Sequence, residues 1–249
     1  MSVPRRLADW QLPEGVDRGL WDYVNDPALA RAYDESLAGS SLFTCDLDFL
    51  LRHCPRGGQF IDLGCGTGRA LLATARAGLS VLGVDLSAEM LAVARQKAEA
   101  ARLRVNLLRA NLTDLRALQD GRFDVAACLF STLGMLIGQS ARERAVREVH
   151  RLLRPGGKFI LHVHNRWFNL WTPAGRRWVF SNLLRSLLGR DAAGDRVMPP
   201  HQGVGNLTLH LFTRREATRM LRQGGFVIEE IQPLSLRPDG RLPCPWWLG

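Results

Sequence analysis

Lysine is almost absent from this chain of 249 residues, because Lys97 and Lys158 are the only lysines among its 33 basic residues. Arginine therefore supplies most of a formal net charge of +9, a bias that coding composition explains as easily as a binding surface does. A phosphate-binding face usually shows a local basic run, whereas the basic residues here are dispersed, most densely over 166–222. Nucleic acid as a partner is therefore not favoured.

Patterned cysteines and long apolar runs are also missing. The five cysteines are odd in number and scattered, with neither zinc spacing nor a disulfide framework. No apolar run reaches the roughly 18–20 residues of a membrane span, and residues 1–10 lack the apolar stretch of a signal peptide. We therefore expect a cytoplasmic protein without a membrane span, and 46% hydrophobic residues are typical of a globular chain.

Short apolar runs alternate with helical patterns from residue 59 onward. This alternation predicts an α/β fold in which crossover helices join the strands of a doubly wound, mostly parallel, Rossmann-like sheet. The predicted strands cover 59–63, 80–84, 105–109, 123–129, 158–164, 206–212 and 226–231. The predicted helices cover 27–38, 46–53, 69–77, 88–102, 141–153 and 214–223.

The same pattern divides the chain into an N-terminal helical segment, residues 1–58, and a Rossmann-like domain, residues 59–249. Within the domain, 165–204 is long, irregular and aromatic, which predicts an inserted substrate lid; a packed surface subdomain or a dimer contact is an equal alternative. A last antiparallel strand would have to lie in 243–249. Two prolines disfavour a regular strand there, so it is either short and distorted or absent.

A glycine-rich turn follows the first predicted strand directly and reads Asp62-Leu63-Gly64-Cys65-Gly66-Thr67-Gly68. Such a turn lets a ligand approach the backbone amides at the start of a helix. Dinucleotide-binding proteins use a similar turn, but their third glycine would stand at position 69, where this chain has Arg69. The carboxylate of Asp62 would also repel a pyrophosphate, whereas it suits an ammonium group.

Polar residues follow the next two strands as well. Asp85 ends the second strand, where an acidic side chain can accept hydrogen bonds from both ribose hydroxyls. Capping the next helix is the alternative role, although Ser87 already provides a cap. Asn111, together with the amide of Leu112, could read an adenine edge; a turn asparagine that satisfies its own backbone is the alternative.

These motifs, in this order and spacing, resemble those of class I S-adenosylmethionine-dependent methyltransferases, in particular the small-molecule branch that includes ubiquinone biosynthesis. The resemblance covers about 59–231 and rests on 60–69, 84–85, 111–115, 123–124 and 153–157. It implies S-adenosylmethionine as cofactor and S-adenosylhomocysteine as product. The cofactor-binding residues that it implies are Asp62, Gly64, Cys65, Gly66 and Gly68 for the methionine part, Asp85 and Leu86 for the ribose, Asn111 and Leu112 for the adenine, Phe130 beside the sulfonium, and Tyr33 on a closing N-terminal helix.

Some of these positions have a plainer explanation or depart from the family. Helix packing is an equal alternative for Tyr33. The sequence Phe130-Ser131-Thr132-Leu133 stands where many enzymes that methylate amino groups of nucleobases or glutamine have Asn/Asp-Pro-Pro-Tyr, which disfavours that chemistry.

Methyl transfer requires alignment of the reactants, and it requires a base only when the nucleophile carries a proton. His164, at the ligand end of the fifth predicted strand, is the predicted base or orienting residue; a hydrogen-bonded histidine at the sheet edge is the alternative. His162 shares a face with His164, but no third ligand accompanies them, so no metal site is predicted.

The expected function is methyl transfer to a small-molecule acceptor, at a hydroxyl or carbon of an aromatic or lipid-like compound. Large apolar side chains beside Arg166, Arg176 and Arg177 suit such an acceptor, including an anionic one. A monomer or a homodimer is expected. The alternatives are an RNA methyltransferase and a non-catalytic RNA-binding or assembly protein of the same fold.

Overall fold

A parallel five-stranded sheet forms the centre of the computed structural model, which describes residues 7–36, 41–188, 193–198 and 207–234. Its strands lie in the order β3-β2-β1-β4-β5, and each neighbouring pair is parallel. The strands are β1 (Gln59–Leu63), β2 (Ser80–Asp85), β3 (Asn106–Arg109), β4 (Phe123–Cys128) and β5 (Leu153–Leu161). The strand order reverses between β1 and β4, where doubly wound sheets bind ligands. The expected α/β fold is confirmed.

Helices cover both faces of the sheet, and a short antiparallel pair lies outside it. The described helices are α1 (Arg18–Val24), α2 (Pro27–Ser36), α3 (Ser41–His53), α4 (Arg69–Arg76), α5 (Ala88–Ala100), α6 (Thr132–Met135), α7 (Gln139–Leu152), α8 (Pro173–Leu187) and α9 (Arg214–Gln223). The antiparallel pair is β6 (Asp195–Val197) with β7 (Thr208–His210). The bounds of β1 and α9 are those that the sequence predicts.

The core divides into two layers because successive strand residues point to opposite faces. Ile61 and Leu63 pack in one buried cluster with residues of α7 and α9. Phe60 and Ile160 pack in another with Leu50 of α3 and residues of α4. Both faces of the central strands are therefore apolar, as in other fully covered parallel sheets.

The fifth strand begins earlier than predicted and the preceding helix ends one residue sooner. β5 starts at Leu153, which pairs with Phe123, and the register then shifts so that Lys158 pairs with Val125. The additional residues include Pro155, which has no N–H to donate, and Gly156, whose φ is +78°. They form a bulge within the strand rather than a separate turn before it.

Two of the predicted later strands differ from the structure. Within the described residues, 226–231 forms no strand, so this prediction is wrong. Side chains hold the segment beside β5: Lys158 Nζ lies 3.0 Å from Glu229 Oε2, and the rings of Phe159 and Phe226 lie 5.3 Å apart. Alternating apolar residues place a segment against a core but do not provide a backbone partner. The strand predicted over 206–212 is limited to β7, and the strand considered in 243–249 lies outside the described residues.

The insertion predicted to be irregular is largely helical where it is described. A 3-10 helix covers Arg166–Trp171 and α8 follows it. Asn165 Oδ1 accepts a hydrogen bond from Trp167 N at 3.0 Å, and Thr172 Oγ1 accepts one from Gly175 N at 3.0 Å. These are helix caps, and Pro173 occupies the first turn, where its missing N–H costs nothing.

A buried histidine joins the antiparallel pair to α9. His210 Nδ1 lies 2.5 Å from Asp195 Oδ1 and its Nε2 lies 2.6 Å from Glu216 Oε1. Arg166 Nη2 also donates to Glu216, at 3.0 Å. Since carboxylates only accept hydrogen bonds, both ring nitrogens must donate for both contacts to be satisfied. The ring therefore ties β6, β7 and α9 together.

Replacing this histidine should destabilise the fold. His210→Ala leaves two carboxylates without their partner, so we expect the free energy of unfolding to fall by about 3 kcal/mol in urea titrations. His53→Ala is the matched control, because His53 contacts Glu230 at 3.0 Å in a more exposed pair, and it should cost at most about 1 kcal/mol. Equal losses in the two variants would contradict the role given to His210.

Candidate active site

A cavity of about 690 Å³ lies at the carboxyl ends of β1 and β4. Its wall contains the loop after β1, the start of α4 and the residues that follow β4, together with side chains from α2 and α3. Six of the predicted site residues line it: Tyr33, Asp62, Gly64, Cys65, Gly66 and Phe130. The structure therefore brings the residues predicted for the methionine part and the sulfonium into one cavity.

The loop after β1 is held by hydrogen bonds to the end of β2. The carbonyl of Val84 accepts from Gly64 N at 2.7 Å and from Cys65 N at 3.0 Å, and Asp85 Oδ2 accepts from Gly66 N at 2.8 Å. The φ of Gly64 is +74°, and a Cβ there would lie 2.2 Å from Thr132 Cγ2. Only glycine meets both conditions at this position.

Gly66 and Gly68 serve different purposes in this loop. A Cβ at Gly66 would approach no described atom closer than 4.0 Å, the distance to Tyr33 Cε1. The backbone at Gly66 thus faces open space, which a ligand can enter. Gly68 does not line the cavity; it begins α4 with a left-handed φ of +84° and contacts Ala94 of α5.

A buried carboxyl group and a partly buried guanidinium group line the same cavity. The pKa of Asp62 is raised to about 7, chiefly by burial; Arg69 opposes this shift, and the nearby Asp85 adds to it. Burial lowers the pKa of Arg69, whose guanidinium carbon lies 3.4 Å from the centre of the Phe43 ring. Its Nη1 atom is buried and has no hydrogen-bond partner in the described part of the chain. Such a pair suits a ligand that carries both an ammonium and a carboxylate group.

In the sequence, the position of Arg69 argues only against dinucleotide binding. Its place in the first turn after a glycine-rich loop was the available signal, because that turn faces the ligand side of the sheet. The unpaired nitrogen could not be foreseen, since it depends on Phe43 and Asp46 of α3, which hold the guanidinium from the other side.

Asp85 is engaged by the backbone on both sides. Its Oδ1 accepts from Ser87 N at 2.8 Å and its Oδ2 accepts from Gly66 N. Ser87 is the N-cap of α5, because its Oγ accepts from Met90 N, so Asp85 holds the turn before the helix and the loop after β1. Burial raises the pKa of this carboxyl group. Asp85 does not line the 690 Å³ cavity. Ribose binding by Asp85 therefore stays a prediction.

The residues predicted for the adenine lie under the N-terminal segment. Asn111 Nδ2 donates to Glu14 O at 2.8 Å, while its Oδ1 accepts from Thr113 N at 3.3 Å, as a turn asparagine does. Leu112 is buried in the core, and Leu86 packs in the cluster that contains Leu20. The contact from Glu14 occupies the hydrogen-bonding edge of Asn111 in this arrangement, and adenine binding stays a prediction.

The residues after β4 adopt a strained backbone. Phe130 and Ser131 have φ values of +51° and +63°, a left-handed conformation that costs roughly 1–2 kcal/mol per non-glycine residue. Ser131 N donates to the carbonyl of His162 at 2.9 Å, and Ser131 Oγ accepts from His164 N at 3.1 Å. These bonds hold the Phe130 ring 4.8 Å from the ring of Phe43, at the cavity wall. Strain of this kind is concentrated at functional sites.

A second, larger cavity of about 990 Å³ adjoins the first, and Leu129 lines both. His162 and His164 line it, just beyond the end of β5. Their ring centres are 5.7 Å apart, so they share a face as predicted. Burial, with a contribution from His162, lowers the pKa of His164 to about 4. The described residues contain no group of three or more potential metal ligands.

His162 has a carboxylate partner that the sequence did not reveal. Its Nδ1 lies 2.8 Å from Oδ1 and 2.9 Å from Oδ2 of Asp46, which is buried in α3. A carboxylate only accepts hydrogen bonds, so Nδ1 of His162 donates in this contact. The two residues are 116 positions apart, so no local pattern could have paired them.

Comparison with known proteins agrees with this geometry. Residues 60–157 match the model of a family described as a methyltransferase domain. The matched part contains the loop after β1, Asp85, Asn111 and Phe130. This part of the chain is thus similar to methyltransferase domains, and the expected resemblance to S-adenosylmethionine-dependent methyltransferases is confirmed.

Two curated relatives show how far the likeness extends. A demethylmenaquinone methyltransferase of Thermus thermophilus is 37% identical over 117 residues, which cover 46% of this chain and 50% of that protein. A ubiquinone biosynthesis O-methyltransferase of Xanthomonas oryzae is 34% identical over 110 residues, 44% of each protein. The chain thus spans about half the length of these relatives or less.

A solved structure extends the likeness of the fold beyond the matched domain. An S-adenosylmethionine-dependent methyltransferase from Methanosarcina mazei aligns with a TM-score of 0.63 and 23% identity, covering 73% of this chain and 85% of that one. This comparison shows the shared fold.

The raised pKa of Asp62 predicts a stability that depends on pH. The folded protein holds a proton on Asp62 up to about pH 7, whereas the unfolded chain releases it near the ordinary aspartate pKa of 3.8. The free energy of unfolding should therefore decrease as pH rises through this window, by up to about 1.4 kcal/mol per pKa unit. Asp62→Asn removes this loss, so the variant should gain stability over wild type at about pH 8 but not at about pH 4.

Urea titrations at the two pH values measure the difference. Asp120→Asn is the control, because the Asp120 carboxylate is 74% exposed and its removal should shift both values equally. Parallel pH profiles of wild type and Asp62→Asn would contradict the raised pKa.

Proposed function

We propose that this chain is an S-adenosylmethionine-dependent methyltransferase that acts on a small molecule, at a hydroxyl or carbon of an aromatic or lipid-like acceptor. The observation that carries the proposal is that Asp62, which is buried, and Arg69 line the same cavity. The Nη1 atom of Arg69 has no hydrogen-bond partner in the described part of the chain. The methionine part of the cofactor has one ammonium and one carboxylate group. Asp62 would hold the ammonium and Arg69 the carboxylate, each through charge-assisted hydrogen bonds.

The remaining cofactor contacts follow the loop and the strand ends. The open backbone at Gly64–Gly66 would accommodate the chain of the methionine part, with Tyr33 on the other side. Asp85 with Leu86 would hold the ribose, and Asn111 with Leu112 the adenine. Phe130 would lie beside the sulfonium. When bound, the cofactor would supply a methyl group on a positively charged sulfur.

We further propose that His162 is the base of the reaction. An acceptor hydroxyl must lose its proton as the new bond to carbon forms, and Nε2 of His162 is available to accept it. Asp46 holds the proton of Nδ1, which orients the ring and stabilises the imidazolium that forms, as a carboxylate does in other catalytic dyads. His164 stays a prediction as an orienting residue, since its lowered pKa keeps it neutral and its ring lies 5.5 Å from Phe130.

The names of the relatives support a small acceptor. Both are methyltransferases, one named for demethylmenaquinone and one for ubiquinone biosynthesis. The acceptor would occupy the larger cavity, whose wall includes Phe49, Phe159 and Phe168 beside the two histidines. Apolar walls with few polar groups are typical of sites for small organic ligands.

Cofactor recognition is tested by calorimetric titration with S-adenosylhomocysteine and with methylthioadenosine, which lacks the amino-acid part. Wild type should bind the first with about micromolar affinity, equivalent to roughly 8 kcal/mol. Arg69→Met should weaken that binding by about 1.5–3 kcal/mol, because a charged hydrogen bond is lost, and should leave methylthioadenosine unaffected. Asp85→Ala should weaken both ligands.

Arg116→Met is the control for the loss of an arginine, because Arg116 is exposed and pairs with Asp114. It should bind both ligands as wild type does. A folded wild type that binds neither ligand would refute the proposed function. Equal weakening of both ligands by Arg69→Met would refute the carboxylate contact alone.

The base is tested with a series of phenols and catechols of different acidity. His162→Gln should lower kcat by about 10²–10⁴-fold for weakly acidic acceptors, and much less for nitrophenols that are already ionised in the assay. Asp46→Asn should show the same dependence on acidity to a smaller extent. The double variant D46N/H162Q should have a kcat only slightly below that of His162→Gln alone, because the two residues act as a unit.

Arg116→Gln is the control for this experiment, because it removes an exposed ion pair with Asp114 that lies outside both cavities. It should leave kcat unchanged. An equal loss for ionised and weakly acidic acceptors in His162→Gln would show that His162 positions the acceptor and does not take its proton.

A further inference from the structure

The outward face of α8 carries large apolar side chains. Phe180, Leu183, Leu184 and Leu187 are 68%, 50%, 63% and 77% exposed. Their spacing places them along one side of the helix, whereas the opposite side contains buried Asn182. A surface helix usually presents polar residues to water, and here the polar and apolar sides are reversed.

The same region has a charge of one sign. The 24 residues from Trp167 to Arg190 contain four Arg and no Asp or Glu. Three of these residues, Arg176, Arg177 and Arg185, lie exposed on α8. None of the three forms an ion pair within the described part of the chain. The apolar side of α8 is thus accompanied by unpaired positive charge.

We propose that this face of α8 binds to an anionic lipid surface. An amphipathic helix with large apolar side chains on one side and arginines beside them can lie in the plane of such a surface, where the apolar side chains enter the acyl boundary and the arginines meet the headgroups. The contact is peripheral. No helix in the described part of the chain is long and apolar enough to cross a membrane.

A second copy of the chain fits this face less well. A twofold contact brings the same patch of both copies together, so Arg176 and Arg177 would approach the arginines of the partner with no acidic residue of α8 to balance them. The charge of anionic headgroups is complementary instead.

The position of the helix suits an acceptor that dissolves in lipid. The 3-10 helix directly before α8 contributes Phe168, which is 50% exposed and also lines the cavity that contains His162. The docking face and the proposed acceptor cavity are therefore neighbours along the chain. This last step rests on the proposed function, whereas the binding of lipid does not.

The test is co-sedimentation of the whole protein with vesicles of equal parts phosphatidylglycerol and phosphatidylcholine, compared with phosphatidylcholine alone. Wild type should sediment with the anionic vesicles and be released by salt. The double variant L183S/L187S should bind at least tenfold more weakly, because two apolar side chains no longer enter the acyl boundary. Arg176→Gln and Arg177→Gln should each weaken binding about fivefold, the equivalent of about 1 kcal/mol per charge near the surface.

Val227→Ser is the matched control, because Val227 is 87% exposed and lies outside α8; it should sediment as wild type does. Binding of S-adenosylhomocysteine, measured on the same preparations, should be equal in all variants, which separates this proposal from the proposed function. Wild type that stays in the supernatant, or that binds both vesicle types equally, would overturn the proposal. So would a dimer in analytical ultracentrifugation that L183S/L187S converts to a monomer.

Discussion

The hydrogen bonds between the loop after β1 and the end of β2 are the constraint on which the site depends. They require the amides of Gly64, Cys65 and Gly66 to point at Val84 and Asp85, and this is compatible only with a left-handed backbone at two of the three residues. Once the loop is held in this way, Asp62 lies at one end of it and Arg69 at the other. The position of both charges follows from backbone geometry that a larger residue at Gly64 would destroy.

The charges of the site are costly in the absence of a ligand. Asp62 is buried with a raised pKa, and Arg69 keeps one buried nitrogen without a hydrogen bond in the described structure. Desolvation of a carboxylate or a guanidinium is offset only by a well-placed partner. A zwitterionic ligand supplies both partners at once. The proposed affinity for the amino-acid part of the cofactor would therefore arise from the cost of burying these two charges.

The two cavities are lined by different parts of the chain. The loops after β1 and β4 line the smaller one, whereas β5 and the residues that follow it line much of the larger one. The methyltransferase fold provides the loop and the strand ends, but a fold hosts many functions, and the acceptor is determined by the residues grafted on it. In the proposed function those residues come from α3, which supplies Asp46, and from the residues just beyond β5, which supply His162 and His164. The insertion that follows adds Phe168 to the same wall, and α8 extends an apolar, basic surface from it.

The sequence by itself determined the features that depend on neighbours along the chain. Hydrophobic periodicity predicted β1, β2 and α9 closely, and the order of Asp62, the glycine loop and Asp85 predicted the class of cofactor, because turns and caps are local chemistry. Tertiary structure alone decided the rest. Among the described residues, the segment 226–231 has no strand partner, and Nη1 of Arg69 has no hydrogen-bond partner. Asp46 contacts His162 across 116 positions. The apolar side of α8 faces outward. Each of these depends on which distant residues pack together, and the identity of a residue does not specify its distant neighbours.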